Sequence, residues 1–300
     1  GLLKDYEQLW KNTCNGTWDP TESLIEISFY SPTVSGNSDP VGRIGKWNGV
    51  KTTAIAGVRG SCAANVKVVH TFVLDWREDV SDIRRDLSIA NYQYTDTKKS
   101  LWVAGASDTD ESAAEKDADP TKAQKNKQNY TPAKWDIQKY VKEYNFLLNN
   151  DKSNVNWYIL RYADVLLLYA EVLNEWKHGP DAEAYNAINA VRRRGYGNPS
   201  NTSACDLPQG LDETSFREAV RKERSYELSF EGHRRQDLIR WGIYYKTVQA
   251  TAKELGYWWE GTGSPNYSVA TYTEEGKHEL FPIPQRDMDL CIQFNQNPKW

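Results

Sequence analysis

A dense run of charged side chains occupies the chain between residues 217 and 240, with acids and bases at intervals of three and four residues. The members predicted to act together are Glu223, Arg224, Glu227, Glu231, Arg234 and Asp237. Such groups can serve as general acids and bases, bind anions, or form structural ion pairs. An exposed pair contributes only about 0.3 to 0.5 kcal/mol, which is too little to account for so many charges. Because buried charges must be fully paired, the run predicts a structural ion network between stacked helices.

Two pairs in this run are neighbours on a helix, Arg224 with Glu227 and Glu231 with Arg235, and they are predicted to pair locally. A catalytic role for Glu227 and His233 is disfavoured because no nucleophile is spaced to meet them. Nucleic-acid binding is disfavoured as well, since seven positive and five negative side chains in the run leave little net attraction for phosphate.

A second pair of carboxylates raises the alternative of a glycoside hydrolase. Glu22 and Glu26 flank an apolar segment that is typical of a strand. Strand geometry separates them by about 13 Å. Both hydrolase mechanisms need carboxylates closer than that, about 5 to 9.5 Å apart. We therefore interpret these acids as solvent-facing groups on an edge strand and expect no enzymatic activity.

The 300-residue chain has the composition of an ordinary globular protein, with 26% charged residues and a net charge of -4. This balance suggests no polyanionic partner. The longest apolar run, residues 165–173, is too short to cross a bilayer. No signal peptide is found, and the helix-like spacing of Leu3, Tyr6, Leu9 and Trp10 suggests a fragment or a processed product.

Cysteines and acids do not form a recognisable metal site. Cys14, Cys62, Cys205 and Cys291 lack a CxxC pair, so they are predicted to be unpaired, or joined in one or two disulfides if the protein is exported. The sequence does not choose among the pairings. The acid-rich segment 108–119 lacks the glycine that a calcium-binding EF-hand loop carries at its sixth position, so it is interpreted as an exposed loop. We expect neither a metal nor a cofactor.

The chain changes character near Asn150. Residues 1–150 are rich in turn-forming residues, and short apolar runs such as 66–76 and 100–106 predict strands between long loops. Residues 151–300 predict helical hairpins and an extended tail.

The first predicted hairpin begins with a helix from Trp157 that stops at Gly179 and Pro180, and Asp181 caps the next helix, which ends at Gly195. A second pair starts at Asp212 or Thr214, is kinked or broken at Gly232, and runs on from His233 through residue 255. Pro282 and Pro284 predict an extended segment laid across the helices.

Six segments carry a resemblance to a known family. In the C-terminal half these are "YILRYADVLLLYAEVLNE", "AINAVRRRGYG", "VRKERSYELSFEGHRRQDLIRWG" and "FPIPQRDMDLCIQFNQNPKW". Upstream, "DPTESLIEISF" and "DIRRD" agree more weakly, and Ile83 stands where proline is usual. Together, from about Asp5 to Trp300, they resemble SusD/RagB-type proteins.

The resemblance implies a mainly α fold, a SusD-like superhelix of tetratricopeptide-like helix pairs with a loop-rich part and short β-strands, in one domain over residues 1–300. It implies a lipid-anchored protein on the outer-membrane surface of Bacteroidetes that binds glycans without catalysis and delivers them to a TonB-dependent, SusC-like transporter. A peptide-binding member of the family and a glycoside hydrolase remain the alternatives.

The resemblance further implies that the family's N-terminal helical half is absent from this chain. Part of the Leu3–Trp10 helix and one face of the 158–194 hairpin are therefore expected to be unusually apolar, where that half would dock.

Loop aromatics are the best candidates for contacts with a glycan, because flat rings stack on the apolar faces of sugars while amide and charged groups bind their hydroxyls. The candidate ligand-binding residues are Arg43, Trp47, Asn48, Trp102, Tyr257, Trp258 and Trp259. The last three contact either a glycan or the transporter. Trp157, Trp176 and Trp241 are expected to lie in the core.

Overall fold

A computed structural model describes residues 1–29, 42–55, 59–77, 79, 81–95, 98–101, 130–141, 154–198, 205–257 and 268–300. Before residue 150 it contains the helices α1 (Tyr6–Cys14), α2 (Ile44–Asn48), α3 (His70–Arg77), α4 (Ile83–Ser88) and α5 (Ile137–Tyr140). After residue 150 it contains α6 (Tyr162–Lys177), α7 (Ala182–Gly195), α8 (Glu213–Glu227), α9 (Arg234–Arg240), α10 (Tyr244–Tyr257), α11 (Ser268–Tyr272) and α12 (Gln285–Leu290).

The described strands are short and form two-stranded antiparallel sheets. They are β1 (Ser23–Ile27), β2 (Ile89–Ala90), β3 (Tyr92–Thr95), β4 (Lys98–Leu101), β5 (Thr131–Pro132) and β6 (Trp157–Arg161). Strand β1 pairs with β6, β2 with β5, and β3 with β4. The prediction of a mainly helical protein with short strands is confirmed.

Helices α6 and α7 form the predicted hairpin. Helix α6 ends at Lys177, and the following residue His178 adopts a left-handed conformation with φ 54° and ψ 40°. The side chain of Asp181 accepts a hydrogen bond from the backbone N–H of Ala184 at 2.9 Å and so caps α7. Both the predicted stop and the predicted cap are confirmed.

The predicted helix start at Trp157 is wrong. Residues Trp157–Arg161 form β6, and Leu160 pairs with Ile25 of β1. This segment is rich in aromatic and branched side chains, which suit a pleated, half-buried strand. The helix begins only at Tyr162, after Arg161 in an extended conformation.

Helix α8 starts at its cap Asp212, which accepts a hydrogen bond from the Ser215 N–H at 2.7 Å. The predicted break is present but comes earlier than Gly232: α8 ends at Glu227, and the turn that follows contains Phe230 with φ 66° and Gly232 with φ 92°. The helix predicted from His233 is instead two helices, because Gly242 adopts φ 67° between α9 and α10. The tail also departs from the prediction: Pro284 precedes α12, a position where its missing N–H costs the helix nothing.

Four short helices, α2 to α5, occupy the part that the pattern assigned to loops and strands. Residues 66–76, predicted to form a strand, contribute α3 instead. Phe72 and Trp76 lie one turn apart on α3 and both contact the Tyr226 ring, which Trp76 stacks on at a centroid distance of 4.3 Å. Packing against α8 therefore overrides the strand preference of the apolar run.

Two packed regions dominate the core. One lies between α6, α7 and α8 and includes Leu167, Ile188 and Phe216. The other surrounds Trp10 of α1, whose ring contacts those of Trp135 and Tyr158 edge-on. The apolar face of α1 is thus buried within this chain.

All four cysteines are unpaired, with Cys291 exposed and the other three buried. The 108–119 segment lies outside the described residues. Across the described ranges, no helix combines the length and hydropathy needed to span a membrane. In the same ranges, no group of three or more His, Cys, Asp and Glu side chains is placed to hold a metal ion.

Candidate functional site

Charged side chains meet in the interior, and we name this group the buried ion cluster. Its members are at most 3% exposed: Glu22, Asp82, Arg84, Lys134, Arg161, Arg194, Glu223, Glu227 and Glu231. They come from five regions of the chain. These are the residue before β1, helix α4 with its cap, the connection between β5 and α5, the segment from β6 to the end of α7, and α8 with the turn that follows it. The cluster therefore joins the strand-bearing part of the protein to the helical hairpins.

Glu227 is the centre of the cluster. Its carboxylate accepts hydrogen bonds from the guanidinium groups of Arg84 at 3.0 Å, Arg161 at 2.5 Å and Arg194 at 2.5 Å. Its backbone carbonyl accepts from Lys134 at 3.0 Å and from Arg161 at 2.7 Å. Every one of these donors lies on a segment other than α8.

The local pairs predicted along the helix do not form. Glu231 binds Lys134 and Arg161, each at 2.7 Å, while Arg235 donates to the backbone carbonyl of His278 at 2.6 Å. Glu223, Glu227 and Glu231 bind donors from other segments instead, because an interior charge needs several donors at once.

Arg224 and Arg234 also differ from the predicted arrangement. Arg224 pairs with Asp164 at 2.6 Å and with Asp237 at 2.9 Å, rather than with Glu227. Arg234 lies outside the buried ion cluster, donates to the carbonyl of Arg221 and covers the Trp241 ring at 5.6 Å.

The electrostatics of the cluster follow from burial and from charge. Burial alone raises the pKa of Glu227, but Arg194, Arg161 and Arg84 outweigh it and hold that pKa well below its usual value. The pKa of Glu231 is lowered in the same way, chiefly by Arg161. For Lys134 burial dominates over the attraction of Glu231 and lowers its pKa to about 8. The carboxylates of Glu227 and Glu231 are therefore ionised, and each accepts several hydrogen bonds from cationic side chains, as a structural cluster requires.

Glu22 belongs to the same cluster, so its interpretation as a solvent-facing acid is wrong. It is fully buried, with one carboxylate oxygen 3.0 Å from Arg161 and the other 2.8 Å from Arg194. Glu26 accepts hydrogen bonds from Ser23 at 2.7 Å and Asn156 at 2.9 Å. With both oxygens of Glu22 held by arginines, Glu22 is not available as one of the two acids that glycoside hydrolysis requires.

Trp47 lies on the outer side of α2, not in a loop as the glycine-rich sequence suggested. A Cβ at Gly45 would stand 1.9 Å from Cδ1 of the buried Ile137, and one at Gly49 would stand 2.5 Å from the carbonyl oxygen of Trp135. These two glycines let α2 lie directly against the core. The side chain of Trp47 is consequently turned outward and is 38% exposed.

The segment after Cys62 runs beside the end of α2. The carbonyl of Trp47 accepts hydrogen bonds from the N–H groups of Asn65 at 2.8 Å and Val66 at 3.4 Å. Both residues are exposed, as is Arg43, while Asn48 is partly exposed. We name these five residues, Arg43, Trp47, Asn48, Asn65 and Val66, the Trp47 surface. An aromatic ring beside amide and cationic groups can stack on a sugar and bind its hydroxyls.

Asn65 and Val66 are missed by the sequence pattern, because they lie far along the chain from Trp47 and follow no motif. Trp18 is missed as well: it is 62% exposed in the connection between α1 and β1. Trp102, Trp258 and Trp259 lie outside the described residues, and Tyr257 ends α10 with its side chain outside them.

Three tryptophans expected in the core have different environments. Trp157 is half-buried and stacks on Trp135 at 5.0 Å. Trp241 is half-buried beneath the guanidinium of Arg240 at 4.8 Å. Trp176 is 73% exposed, so its assignment to the core is wrong. It lies near the end of α6, on the side away from α7 and α8.

Replacing Gly45 by alanine is expected to reduce the free energy of unfolding by about 1 to 3 kcal/mol, the usual cost of overpacking. The new methyl group collides with Ile137, which is buried and has little room to move. Denaturant titration measures the loss. Adding Ile137→Val, which removes the nearest carbon, should recover part of it; an additive loss in the double variant contradicts this packing.

The comparison with known proteins bears on this fold. SusD-like protein P25 of Formosa agariphila is 38% identical over 135 residues, which are 45% of this chain and 22% of that protein. A SusD homolog of Bacteroides thetaiotaomicron, known from its crystal structure, is 97% identical with a TM-score of 0.94 over 100% of this chain and 56% of its own. The chain therefore spans little more than half the length of this solved relative.

A more distant structure shares the fold alone. Surface glycan-binding protein A from Bacteroides thetaiotaomicron, solved in complex with laminarihexaose, is 19% identical with a TM-score of 0.58, over 99% of this chain and 56% of that one. These structures confirm the SusD-like helical superhelix. The family model of the SusD family matches residues 71–300. Because that match covers well over half of the sequence, the chain belongs to the SusD family.

Proposed function

We propose that this protein binds glycans without catalysing a reaction, and that the Trp47 surface contacts the sugar. The observation that carries the proposal is the outward-facing Trp47 ring on a helix that two glycines hold against the core. Because the backbone of α2 is fixed before binding, the exposed part of the ring is presented at little cost in backbone entropy. The Lys46 ammonium lies 5.3 Å from the ring centroid and adds a cationic group beside it. Asn48, Asn65 and Arg43 supply groups that bind sugar hydroxyls.

Relatives support a glycan as the ligand. Structures of the same fold include a laminarin-binding SusD-like protein and a surface glycan-binding protein in complex with laminarihexaose. A binding role without catalysis is supported by the chemistry of the acids: Glu22 and Glu227 are held in ion pairs with arginines and are buried. Neither group can reach a substrate.

We further propose that the whole protein acts at the outer-membrane surface and passes its ligand to a TonB-dependent, SusC-like transporter. Membership of the SusD family and the bacterial sources of its relatives support this assignment. Trp102 stays a predicted contact for the glycan, and the segment Tyr257–Trp259 stays a predicted contact for either the glycan or the transporter.

Replacing Trp47 by alanine is expected to weaken glycan binding about tenfold or more, which corresponds to roughly 1.4 kcal/mol of lost stacking. Calorimetric titration with the tightest-binding member of an oligosaccharide panel measures the change. Trp176→Ala is the matched control, because it removes an even more exposed ring, 73% against 38% for Trp47, from α6 and should leave affinity unchanged.

Equal loss in both variants, or no loss in Trp47→Ala, contradicts the assignment of the Trp47 surface. Saturable binding of peptides in place of oligosaccharides favours the peptide-binding alternative.

A further inference from the structure

The segment that carries the Trp47 surface is strongly basic. Residues 42–68 contain neither aspartate nor glutamate, yet they contain five cationic side chains. These are Arg43, Lys46, Lys51, Arg59 and Lys67. Over the whole chain, by contrast, 41 acids outnumber 37 bases. The overall balance suggested no polyanionic partner, but this segment departs from it locally, and a local excess of one sign favours a ligand of the opposite sign.

Two of these cations belong to α2 and its start. Arg43 precedes the helix, and its carbonyl accepts a hydrogen bond from the Trp47 N–H at 3.2 Å. The Lys46 ammonium lies 5.3 Å from the centroid of the Trp47 ring. Both cations are therefore next to the ring that is proposed to stack on a sugar.

Two more cations lie on the segments that run beside α2. Lys67 is exposed and directly follows Val66 of the Trp47 surface. Lys51 precedes Thr52, whose backbone N–H and carbonyl bond to those of Cys62 at 3.1 and 3.0 Å. This bridge holds the two segments together. We name four residues the basic rim: Arg43, Lys46, Lys51 and Lys67.

The basic rim carries positive charge that the described part of the chain does not fully neutralise. Among the described residues, no carboxylate lies within ion-pair distance of Arg43 or Lys51. Partial burial lowers the pKa of the Lys67 ammonium, and repulsion from Lys51 lowers it further. Arg59 is not part of the rim, because it is buried and donates to the carbonyl of Thr53 at 3.0 Å.

The carboxylate of Asp136 lies near this segment but is held in the interior. Burial raises the pKa of the Cys62 thiol to about 11, and the charge of Asp136 contributes to the rise. Asp136 itself is 1% exposed and accepts hydrogen bonds from the hydroxyls of Tyr92 at 2.7 Å and Tyr94 at 3.0 Å. It therefore does not pair with the basic rim.

The charge of the rim indicates the class of ligand. A neutral oligosaccharide leaves these cations unpaired, whereas carboxylate and sulfate groups accept strong hydrogen bonds from ammonium and guanidinium groups. We propose that the Trp47 surface binds an anionic glycan, with one sugar ring stacked on Trp47 and carboxylate or sulfate groups paired with the basic rim. This inference rests on the proposed function, because it concerns the ligand of the same surface.

Calorimetric titration with matched oligosaccharides tests the proposal. Hexagalacturonate supplies carboxylates, and its methyl ester is the neutral counterpart with the same backbone. A hexasaccharide of κ-carrageenan supplies sulfate esters, and its desulfated form is the neutral counterpart. Laminarihexaose completes the panel. Each sugar is titrated into this chain and into the full-length Bacteroides thetaiotaomicron homolog, at about 50 and about 300 mM salt.

At low salt, at least one acidic sugar should bind about tenfold more tightly than its neutral counterpart, and the difference should shrink at high salt because screening weakens exposed ion pairs. The pair that shows the difference identifies uronate or sulfate as the recognised group. Neutral members that bind as tightly as the acidic ones overturn this inference and leave the proposed function standing. No binding of any member by either protein overturns both.

A double substitution assigns the effect to the basic rim. Lys51→Gln with Lys67→Gln should weaken binding of the acidic sugar about tenfold, as expected for two exposed ion pairs, and should flatten its dependence on salt. Lys246→Gln with Lys253→Gln is the matched control, because it removes the same charge from exposed positions of α10. Equal losses in the two double variants, or an unchanged salt dependence in the first, overturn the assignment.

Discussion

Replacing Glu227 by glutamine is expected to lower the free energy of unfolding by about 3 to 5 kcal/mol, the cost of leaving buried charges without their partner. The substitution keeps the shape of the side chain but removes its negative charge. Arg84, Arg161 and Arg194 then face a neutral amide, whose NH₂ group cannot accept their hydrogen bonds. Urea unfolding followed by circular dichroism measures the loss.

Glu218→Gln is the matched control on the same helix. Glu218 pairs with Arg221 at the surface, three residues away, with its side chain 62% exposed. Removing such a pair changes stability by less than about 1 kcal/mol. Similar losses in the two variants contradict the view that the buried ion cluster holds the fold together.

The pH dependence of unfolding, compared between the unsubstituted protein and Glu227→Gln, gives a further test in which the direction of the change is predicted. The pKa of Glu227 in the folded protein lies well below its value of about 4.3 in an unfolded chain. The contribution of this carboxylate to the free energy of unfolding is therefore fully present above about pH 4.3, and it is lost as the pH falls towards the pKa in the folded protein. The stability difference between the native protein and Glu227→Gln should be largest near neutral pH and shrink below about pH 4. A difference that grows on acidification contradicts the assignment.

Replacing Arg161 by lysine should cost about 3 kcal/mol, although the charge is retained. Arg161 donates five hydrogen bonds, to Glu22, to the carboxylate and carbonyl of Glu227, and to both oxygens of Glu231. A lysine ammonium has three donors at one point and cannot reach all of these acceptors. Thermal and urea unfolding both measure the change.

Arg193→Lys is the control for this substitution. Arg193 makes a two-point pair with Asp206 at the edge of α7, with distances of 2.7 and 2.5 Å and a side chain that is 20% exposed. Water replaces the lost contacts there, so the cost should stay below about 1 kcal/mol. Equal losses of stability at the two sites would contradict the prediction, because they would show that the several-donor geometry of the Arg161 guanidinium is not required for stability.

Five of the six segments that resemble the SusD/RagB family meet in the buried ion cluster. Glu22 comes from "DPTESLIEISF", Arg84 from "DIRRD", Arg161 from "YILRYAD", Arg194 from "AVRRRG" and Glu227 from "RSYELSFEG". The residues that make the family recognisable therefore form a scaffold. The residues proposed to contact the ligand lie outside these segments.

Local signals predicted the helical hairpins well. The stop at Gly179 and the caps at Asp181 and Asp212 depend only on neighbouring residues, and the structure contains each of them. The start of α6 was placed too early because Trp157–Arg161 fits the helical spacing equally well. Its pairing with β1, which lies far away in the sequence, decides in favour of a strand.

Long-range contacts explain what the pattern missed in the candidate site. Residues Arg43, Trp47 and Asn48 are adjacent in sequence and could be grouped, whereas Asn65 joins them only through the fold. The run of charge around Glu227 predicted buried pairs, but its partners come from α4, β6 and α7. A single sequence carries no signal for such distant pairing.

The central claim is that this protein binds a glycan and leaves it intact. The most direct test is a calorimetric titration of this chain and of the full-length Bacteroides thetaiotaomicron homolog with an oligosaccharide panel that includes laminarihexaose, followed by mass analysis of each sugar. The account predicts saturable binding of at least one oligosaccharide, recovered at its original length. Cleavage of any member, or absence of binding to both chains across the panel, contradicts it.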